Sequence, residues 1–397
     1  MEIINSKNSR DKNSRFSDWV DYARNKIALA QTPISFVGHN TKFFYGNKYK
    51  NTHQILNTSD YKGIINHDPS ELVLVARSGT PIRDLEEVLA SKNQTLGFDP
   101  PRFNLKNNNK FLAGGTVGGM VATGLSGPQR IFHGSCREAI LGLSVLNSKG
   151  ELLKFGGNVI KNVAGYDISR LHVGAMGTLG LILDVSLRVK PLPIHEETLA
   201  IPAKYFEVLK ILESLFLNHL PISSTSWSND AATDFFKKEI LILRLSGAMK
   251  SVAKAKACVL SSQKKAFIVE KDMADQFWNF LRDQRFSFFN SHLVDSNLWR
   301  ISLPFGNNFS LFEKQKQWIE WGGALRWIRT NEDPEWIFAL IKRHGGNAMI
   351  YKVGENFSQI QDRLVIPEWT EKELHKKLKK KMDPKLIFNP GRLYSFI

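Results

Sequence analysis

Three glycine-marked segments carry the residue types and spacing that could hold a ligand. Between Gly114 and Gly127 the chain reads GGTVGGMVATGLSG, six glycines in fourteen residues. Glycine is costly inside regular structure, so such a block needs a reason. Either two backbones pack closely there, or consecutive amide N–H groups turn inward around a phosphate. Gly114, Gly115, Thr116, Gly118, Gly119 and Gly124 are the candidates, with Thr116 adding a hydroxyl. A second block, GYDISRLHVGAMGTLG at 165–180, contributes Gly177, Thr178 and Gly180 and runs into an apolar strand that includes Ile182. A third is the turn Gly38-His39-Asn40-Thr41-Lys42, which ends the apolar run 34–37. Neither a Walker loop nor a Rossmann fingerprint is present, since no Gly-Lys-Ser/Thr follows and no strand feeds a Gly-x-Gly-x-x-Gly turn. From the glycines alone, packing and phosphate binding both remain open.

Arg326, inside GGALRWIRT, is the candidate for gripping a substrate carboxylate, because guanidinium and carboxylate pair bidentately and Trp327 can wall the pocket. The competing reading is an ordinary strand arginine facing solvent. His344, before Gly345-Gly346, is a weaker candidate for a base.

These residues must be positioned by surrounding elements. Phe16, Trp19, Val20, Ala23 and Ile27 have helical spacing and predict a helix over 16–30. Strands are expected at 34–37, 72–77, 141–146, 151–155 and 181–189, and a helix at 82–91 capped by Thr80 with Pro81 as its first residue. Lys190-Pro191-Leu192-Pro193 breaks the pattern and marks a domain boundary. Beyond it, helices are expected at 203–218, 251–262, 274–284 and 334–343 and strands at 240–245, 299–303, 323–329 and 347–353. Together they make a sheet with helices on one face. A further amphipathic helix before the C-terminus carries Lys376, Lys377, Lys379, Lys380 and Lys381, read as a solvated face.

Composition narrows the classes. At 397 residues, with 42% hydrophobic and 23% charged residues, the chain has enough apolar material for two domains and is not a disordered polymer. Its net charge of +16 permits acidic partners, but the basic residues are scattered and form no nucleic-acid module. Cys136 and Cys258 are too few for an iron–sulfur cluster or a four-cysteine zinc site. A polar N-terminus and the lack of any long apolar run predict a cytoplasmic protein; any membrane link is expected to be peripheral or through partners, at the cytoplasmic face of the inner membrane.

In order, the turn at 38–42, the Ser78-Gly79-Thr80-Pro81 turn, the Gly114 block, the Gly165–Gly180 block and the tail DPKLIFNPGRL resemble the vanillyl-alcohol-oxidase flavoproteins, whose FAD-binding domain is also called the PCMH domain. Within that superfamily, AGGTVGGMVATGLSGPQR, FGGNVIKNVAGYDISRLHVGAMGTLG, WGGALRW, HGGNAMIYK and IFNPGRLY are similar to the glycolate oxidase E-subunit family, from about residue 34 to 394. The resemblance implies an α+β fold. A PCMH-type FAD-binding domain of two α+β subdomains (1–193) would precede a smaller α+β FAD-linked oxidase C-terminal domain (194–397), whose tail, 383–393, returns to the flavin. It also implies FAD as cofactor, with Asn389 and Arg392 at the flavin edge, although Asn-Pro-Gly also reads as a plain turn. His344 would then be a base near flavin N5.

Where the family has Gly-Gly-Gly-Ser-Lys, this chain has His39 and Asn40. Asn tolerates positive φ; His39 is the awkward one. The histidine that carries covalent FAD in some relatives aligns with Thr41, so FAD is expected to be noncovalent. Related 2-hydroxyacid dehydrogenases hold a metal with a histidine pair and a carboxylate. That arrangement is missing here, His292, His344 and His375 being isolated, and no metal is expected. The resulting expectation is the FAD-binding subunit of a glycolate-oxidising complex, beside a larger flavoprotein subunit and an iron–sulfur subunit, acting on a small 2-hydroxy acid and passing electrons to the respiratory chain. The alternatives are a stand-alone 2-hydroxyacid dehydrogenase and a structural subunit that has lost its flavin.

Overall fold

The computed structural model describes the chain apart from residues 1–5, 49–52, 104–105, 108–109, 112–113, 158–166, 230–234, 237, 291–292, 306–311, 361 and 366. Part of the second glycine block, including Gly165, and His292 therefore lie outside the described residues.

Helical spacing on α1 (Ser6–Ala28) lays Phe16, Trp19, Val20, Ala23 and Ile27 along one stripe, which packs on Ile34, Leu56 and Tyr61. β1 (Ile34–Val37) and β2 (Gln54–Asn57) pair in parallel. β3 (Ile64–Asp68) and β4 (Val73–Arg77) lead into α2 (Ile82–Ala90). The helix does not start as expected. Pro81, at φ −58°, occupies the cap position, while the Thr80 hydroxyl accepts from Gly63 N and donates to Arg77 O, closing the strand-to-helix turn instead.

Three two-residue strands follow, β5 (Gln94–Thr95), β6 (Lys106–Asn107) and β7 (Lys110–Phe111). After them come α3 (Val117–Thr123), α4 (Arg130–His133), α5 (Cys136–Ala139), β8 (Ile140–Leu146), β9 (Leu152–Gly156), α6 (Ile168–Leu171) and β10 (Leu181–Arg188). The five-stranded sheet runs β3-β4-β10-β8-β9, antiparallel at every pair. Ile82, Leu85 and Leu89 of α2 and Val117, Met120 and Val121 of α3 pack on Leu74, Leu143 and Val185 of that sheet.

The chain then passes through β11 (Lys190–Pro191) into a second body: β12 (His195–Pro202), α7 (Tyr205–Leu217), β13 (Ile222–Ser228), β14 (Ile240–Gly247), α8 (Met249–Ser262), β15 (Phe267–Val269), α9 (Lys271–Arg282), α10 (Ser287–Asn290), β16 (Asn297–Ser302), β17 (Lys316–Glu320), β18 (Leu325–Thr330), α11 (Pro334–Arg343) and β19 (Asn347–Lys352). Its antiparallel sheet has eight strands, in the order β15-β12-β14-β13-β17-β18-β16-β19.

Helices cover both faces of this sheet, not one as expected. α7 and α8 pack on Leu199, Leu243 and Ile319, and α11 on Ile301, Ile328 and Ile350. The opposite face carries Trp318, Leu325, Trp327, Met349 and Tyr351. It receives Phe277, Trp278 and Leu281 of α9, Phe288 and Phe289 of α10, and Tyr45, Leu125 and Met176 of the first body. Helices fall on both faces because these strands are apolar on both; β13, β17 and β18 are buried almost throughout.

α12 (Trp369–Met382) brings the chain back. Lys379 was expected on its solvated face and is instead 1% exposed. Its three ammonium protons go to Thr178 O, Asp383 Oδ2 and Phe388 O at 2.7–2.8 Å. Lys376, Lys377, Lys380 and Lys381 stay exposed. The same Asp383 oxygen accepts Phe388 N, and Ile34 N donates to Ile387 O. The tail thereby becomes a strand-like neighbour of β1, in the first body.

Candidate functional site

Five distant segments meet in one cleft of about 790 Å³. They are the end of β1 with the turn that follows it, the Thr58 and Ser78 turns, α3, the loop from Met176 into β10, and the tail at Asn389 and Arg392. Of the sequence candidates, Gly38, His39, Asn40, Thr41, Lys42, Thr116, Gly118, Gly119, Gly177, Gly180, Ile182, Asn389 and Arg392 all line it.

Gly114, Gly115, Gly124 and Thr178 stand behind the wall. Gly114 O accepts His39 Nδ1, Gly124 ends α3 at φ +62°, and the Thr178 hydroxyl donates to Ala175 O. Gly115 packs against Lys42: a Cβ there would press on Lys42 Nζ, the far end of a flexible side chain that can shift aside.

His39 and Asn40 leave the turn open. Asn40 takes the left-handed conformation at φ +56° and its side chain is exposed. The half-buried imidazole of His39 swings to the Gly114 carbonyl, 2.7 Å away, and ties the first turn to the Gly114 block. Among the described residues, the amide N–H groups of Gly38, His39, Asn40 and Thr41 donate to no backbone carbonyl, so they are available to a ligand.

Two buried polar atoms along the cleft also lack protein partners: Lys42 Nζ and Ser78 Oγ. Burial pushes the Lys42 ammonium down to about 8, and the field of Asp283 only partly offsets this. A buried cation and hydroxyl without acceptors beside free amides fit the diphosphate and ribityl groups of a dinucleotide.

The tail residues are staples. Asn389 accepts Phe36 N at 3.0 Å and donates to Met176 O at 2.7 Å, and a Cβ on Gly177 (φ +72°) would come within 2.5 Å of its amide nitrogen. Arg392 donates to the carbonyls of Lys42, Phe43 and Asn47, fixing the first turn from behind.

The two catalytic candidates are elsewhere. Arg326 is 0% exposed and, opposite Ile301 and Ile319 in the register, lies on the face covered by α7, within the field of Tyr205; burial lowers it to about 10. It reaches neither the cleft nor solvent. Trp327, the next residue, is on the face turned to the first body. His344 caps the C-terminus of α11, at the end of β19 away from Tyr351. Residues the sequence reading passed over also line the cleft, notably Tyr45, Thr58, Ser78 and Met176. Ser78 was legible as the first residue of a Ser-Gly-Thr-Pro turn, and Met176 lies within the second glycine block just before Gly177; Tyr45 sits outside any motif.

Comparison with known proteins bears directly on this site. The profile of a family described as FAD binding domain matches residues 16–156. The Escherichia coli K12 protein named glycolate oxidase subunit GlcE is 35% identical over 373 residues, 94% of this chain and 95% of that one. The chain belongs to the GlcE family. A D-lactate dehydrogenase of Anaerostipes hadrus is 29% identical over 180 residues, 45% of this chain and 34% of its own. Among solved structures, p-cresol methylhydroxylase superposes with a TM-score of 0.68 at 15% identity, covering 95% of this chain and 88% of its own. An alkyldihydroxyacetonephosphate synthase gives 0.64 at 16%, covering 93% and 75%. The fold is therefore the α+β fold of PCMH-type FAD-binding flavoproteins, and the family is one of FAD-linked oxidoreductases. No helix among the described residues is long and apolar enough to cross a membrane, and they contain no cluster of His, Cys, Asp and Glu suited to a metal ion.

Proposed function

We propose that this protein is the FAD-binding subunit of a complex that oxidises glycolate to glyoxylate, with a larger flavoprotein subunit and an iron–sulfur subunit as partners and the respiratory chain as electron acceptor. The observation that carries the reading is the cleft, where thirteen residues picked from separate glycine turns and the tail converge on orphaned donors, in a chain that matches GlcE over 94% of its length. FAD, when bound, supplies the two-electron chemistry. The chain's own residues bind and orient it. The amides of 38–41, Lys42 and Ser78 would hold its diphosphate and Gly177 and Gly180 would allow close backbone approach, while Asn389 and Arg392 lock the turns in place. The reading takes binding as noncovalent, because Thr41 stands where some relatives carry the flavin-linking histidine; His39, two residues earlier, is hydrogen-bonded through Nδ1 to Gly114 O.

With neither Arg326 nor His344 at the cleft, substrate chemistry in this subunit depends on other groups. This favours a role inside a complex over a stand-alone dehydrogenase. Attachment to the cytoplasmic face of a membrane would run through the partners. Co-expression with the partner subunits should give a complex whose flavin is bleached anaerobically by glycolate. Recovery of this chain as a lone species fully competent for glycolate oxidation would refute the subunit reading.

A further inference from the structure

Among the described residues the two large sheets end in four edge strands, and three of these are blunted or covered. In the five-stranded sheet, β3 carries His67 and Asp68 and β9 carries Lys154. Charge on an edge discourages the addition of another strand. In the eight-stranded sheet, β19 is covered by its own chain, since Ile350 N donates to Arg363 O at 2.8 Å and Met349 bridges Leu364. The fourth edge is β15, Phe267-Ile268-Val269. It pairs with β12 on one side, and among the described residues no backbone bond is made on the other. Unpaired strand amides and carbonyls are a template for one more strand.

This edge is also apolar. Phe267 is 38% exposed, Ile268 51%, and Met273, on the first turn of α9, 38%, while Val269 is buried. Beside the strand lies an open groove walled by Phe235, Phe236, Phe267, Ile268 and Met273. Open backbone groups next to such a groove are the two halves of strand addition: main-chain bonds give affinity, and pockets for alternate side chains give specificity. Three residues are a short template, so the groove and the charges around it must supply the rest.

Those charges bear on the occupant. Lys264 and Lys265 precede the strand, Lys271 follows it, and Lys238 stands 5.6 Å from the Phe267 ring centre, against Glu270 and Asp272. A second copy fits poorly, because pairing two copies antiparallel about Ile268 brings Lys265 of each towards Lys271 of the other. The same lysines attract an extended segment with carboxylates at its ends. The apolar surface is concave, which admits a chain and not a flat lipid surface.

We propose that β15 is a docking edge for an extended, acidic-ended segment of a partner subunit, which adds to the sheet as a further strand and lays alternate side chains in the groove. That such a partner exists rests on the proposed function; the place and mode of docking do not. The groove shares no residue with the dinucleotide cleft, so docking and FAD binding can be perturbed separately.

The test is backbone hydrogen exchange of the full chain, FAD-loaded, alone and after recombination with its purified partner subunits. The outward amides of residues 266–270 should exchange roughly tenfold more slowly, or slower still, in the complex. Ile268→Glu should weaken assembly roughly ten- to hundredfold. Lys264→Glu combined with Lys265→Glu should weaken it strongly at low salt and less at high salt. FAD uptake should be unchanged in both variants, which shows that they fold. A complex that forms without added protection at 266–270, or with unchanged affinity in Ile268→Glu, overturns the proposal while leaving the functional reading intact. Protection of these amides by phosphatidylglycerol vesicles or by self-association, and not by the partner subunits, overturns it as well. A chain that forms no complex with those subunits sinks the functional reading and this docking together.

Discussion

Replacing Lys42 by methionine should stabilise the FAD-free protein while weakening its hold on FAD. Lys42 is 9% exposed; its buried ammonium sits over Gly115 and 5.6 Å from the Phe103 ring centre, and has no hydrogen-bond partner among the described residues. In the unfolded chain Lys42 is protonated below about 10.5, in the folded one only below about 8. Stability from this group is complete above the first value and lost as pH falls to the second. By pH 7 the loss is on the order of 3 kcal/mol, from a gap of about 2.5 units at about 1.4 kcal/mol each. Methionine keeps the length and removes the charge, so the FAD-free variant should melt several degrees higher at pH 7 and gain little at pH 10. FAD should reverse the order. A diphosphate beside Lys42 supplies the missing anion in the natural protein only, so the rise in melting temperature on adding FAD should be clearly smaller in the variant. Differential scanning calorimetry at both pH values, with and without FAD, reads all four quantities. A lower melting temperature for the FAD-free variant at pH 7, or an equal response to FAD, would mean that Lys42 is not a buried cation awaiting the diphosphate.

Other perturbations follow from the same geometry. Lys379→Ala strands Asp383 in a buried pocket and should cost about 3–5 kcal/mol in chemical unfolding, with loss of FAD as the tail leaves β1. Glu320 is pushed up to about 7 by burial, which its bond from Trp327 offsets only in part. Its stabilising protonated form is therefore lost as pH rises from about 4.5 through 7, and Glu320→Gln should raise the melting temperature more at pH 8 than at pH 5. Gly177→Ala forces a side chain at φ +72° into the Asn389 amide and should lower FAD affinity severalfold in a fluorescence titration. Arg326→Lys should leave glycolate binding unchanged by calorimetry, because the residue faces α7.

The cleft was legible in the sequence because glycine turns announce backbone conformation, and backbone is what lines it. The tail was legible only through its family resemblance, since Asn-Pro-Gly by itself reads as a plain turn. What failed was side-chain phase in strands buried on both faces. In LRWIRT nearly every residue is buried, so alternation gives no hint that Trp327 faces the first body and Arg326 the helices. The arginine that does face inward, Arg300, sits in a strand with no motif. Strand β13, ISSTSWS, went unseen because it is buried but made of hydroxyls. These are satisfied in place: Ser226 accepts Trp318 Nε1, Thr225 accepts Gly322 N and Ser228 donates to Gln317 O. Lys379 was hidden among four exposed lysines, and only its i,i+4 partner Asp383 distinguished it.

Absorption spectroscopy of the isolated chain, purified and then reconstituted with FAD, reads directly whether the cleft holds a flavin. The expected result is a flavin spectrum at one FAD per chain, released intact by acid because no bond to the protein forms, and a higher melting temperature with FAD present. A colourless protein whose melting temperature ignores added FAD would contradict it.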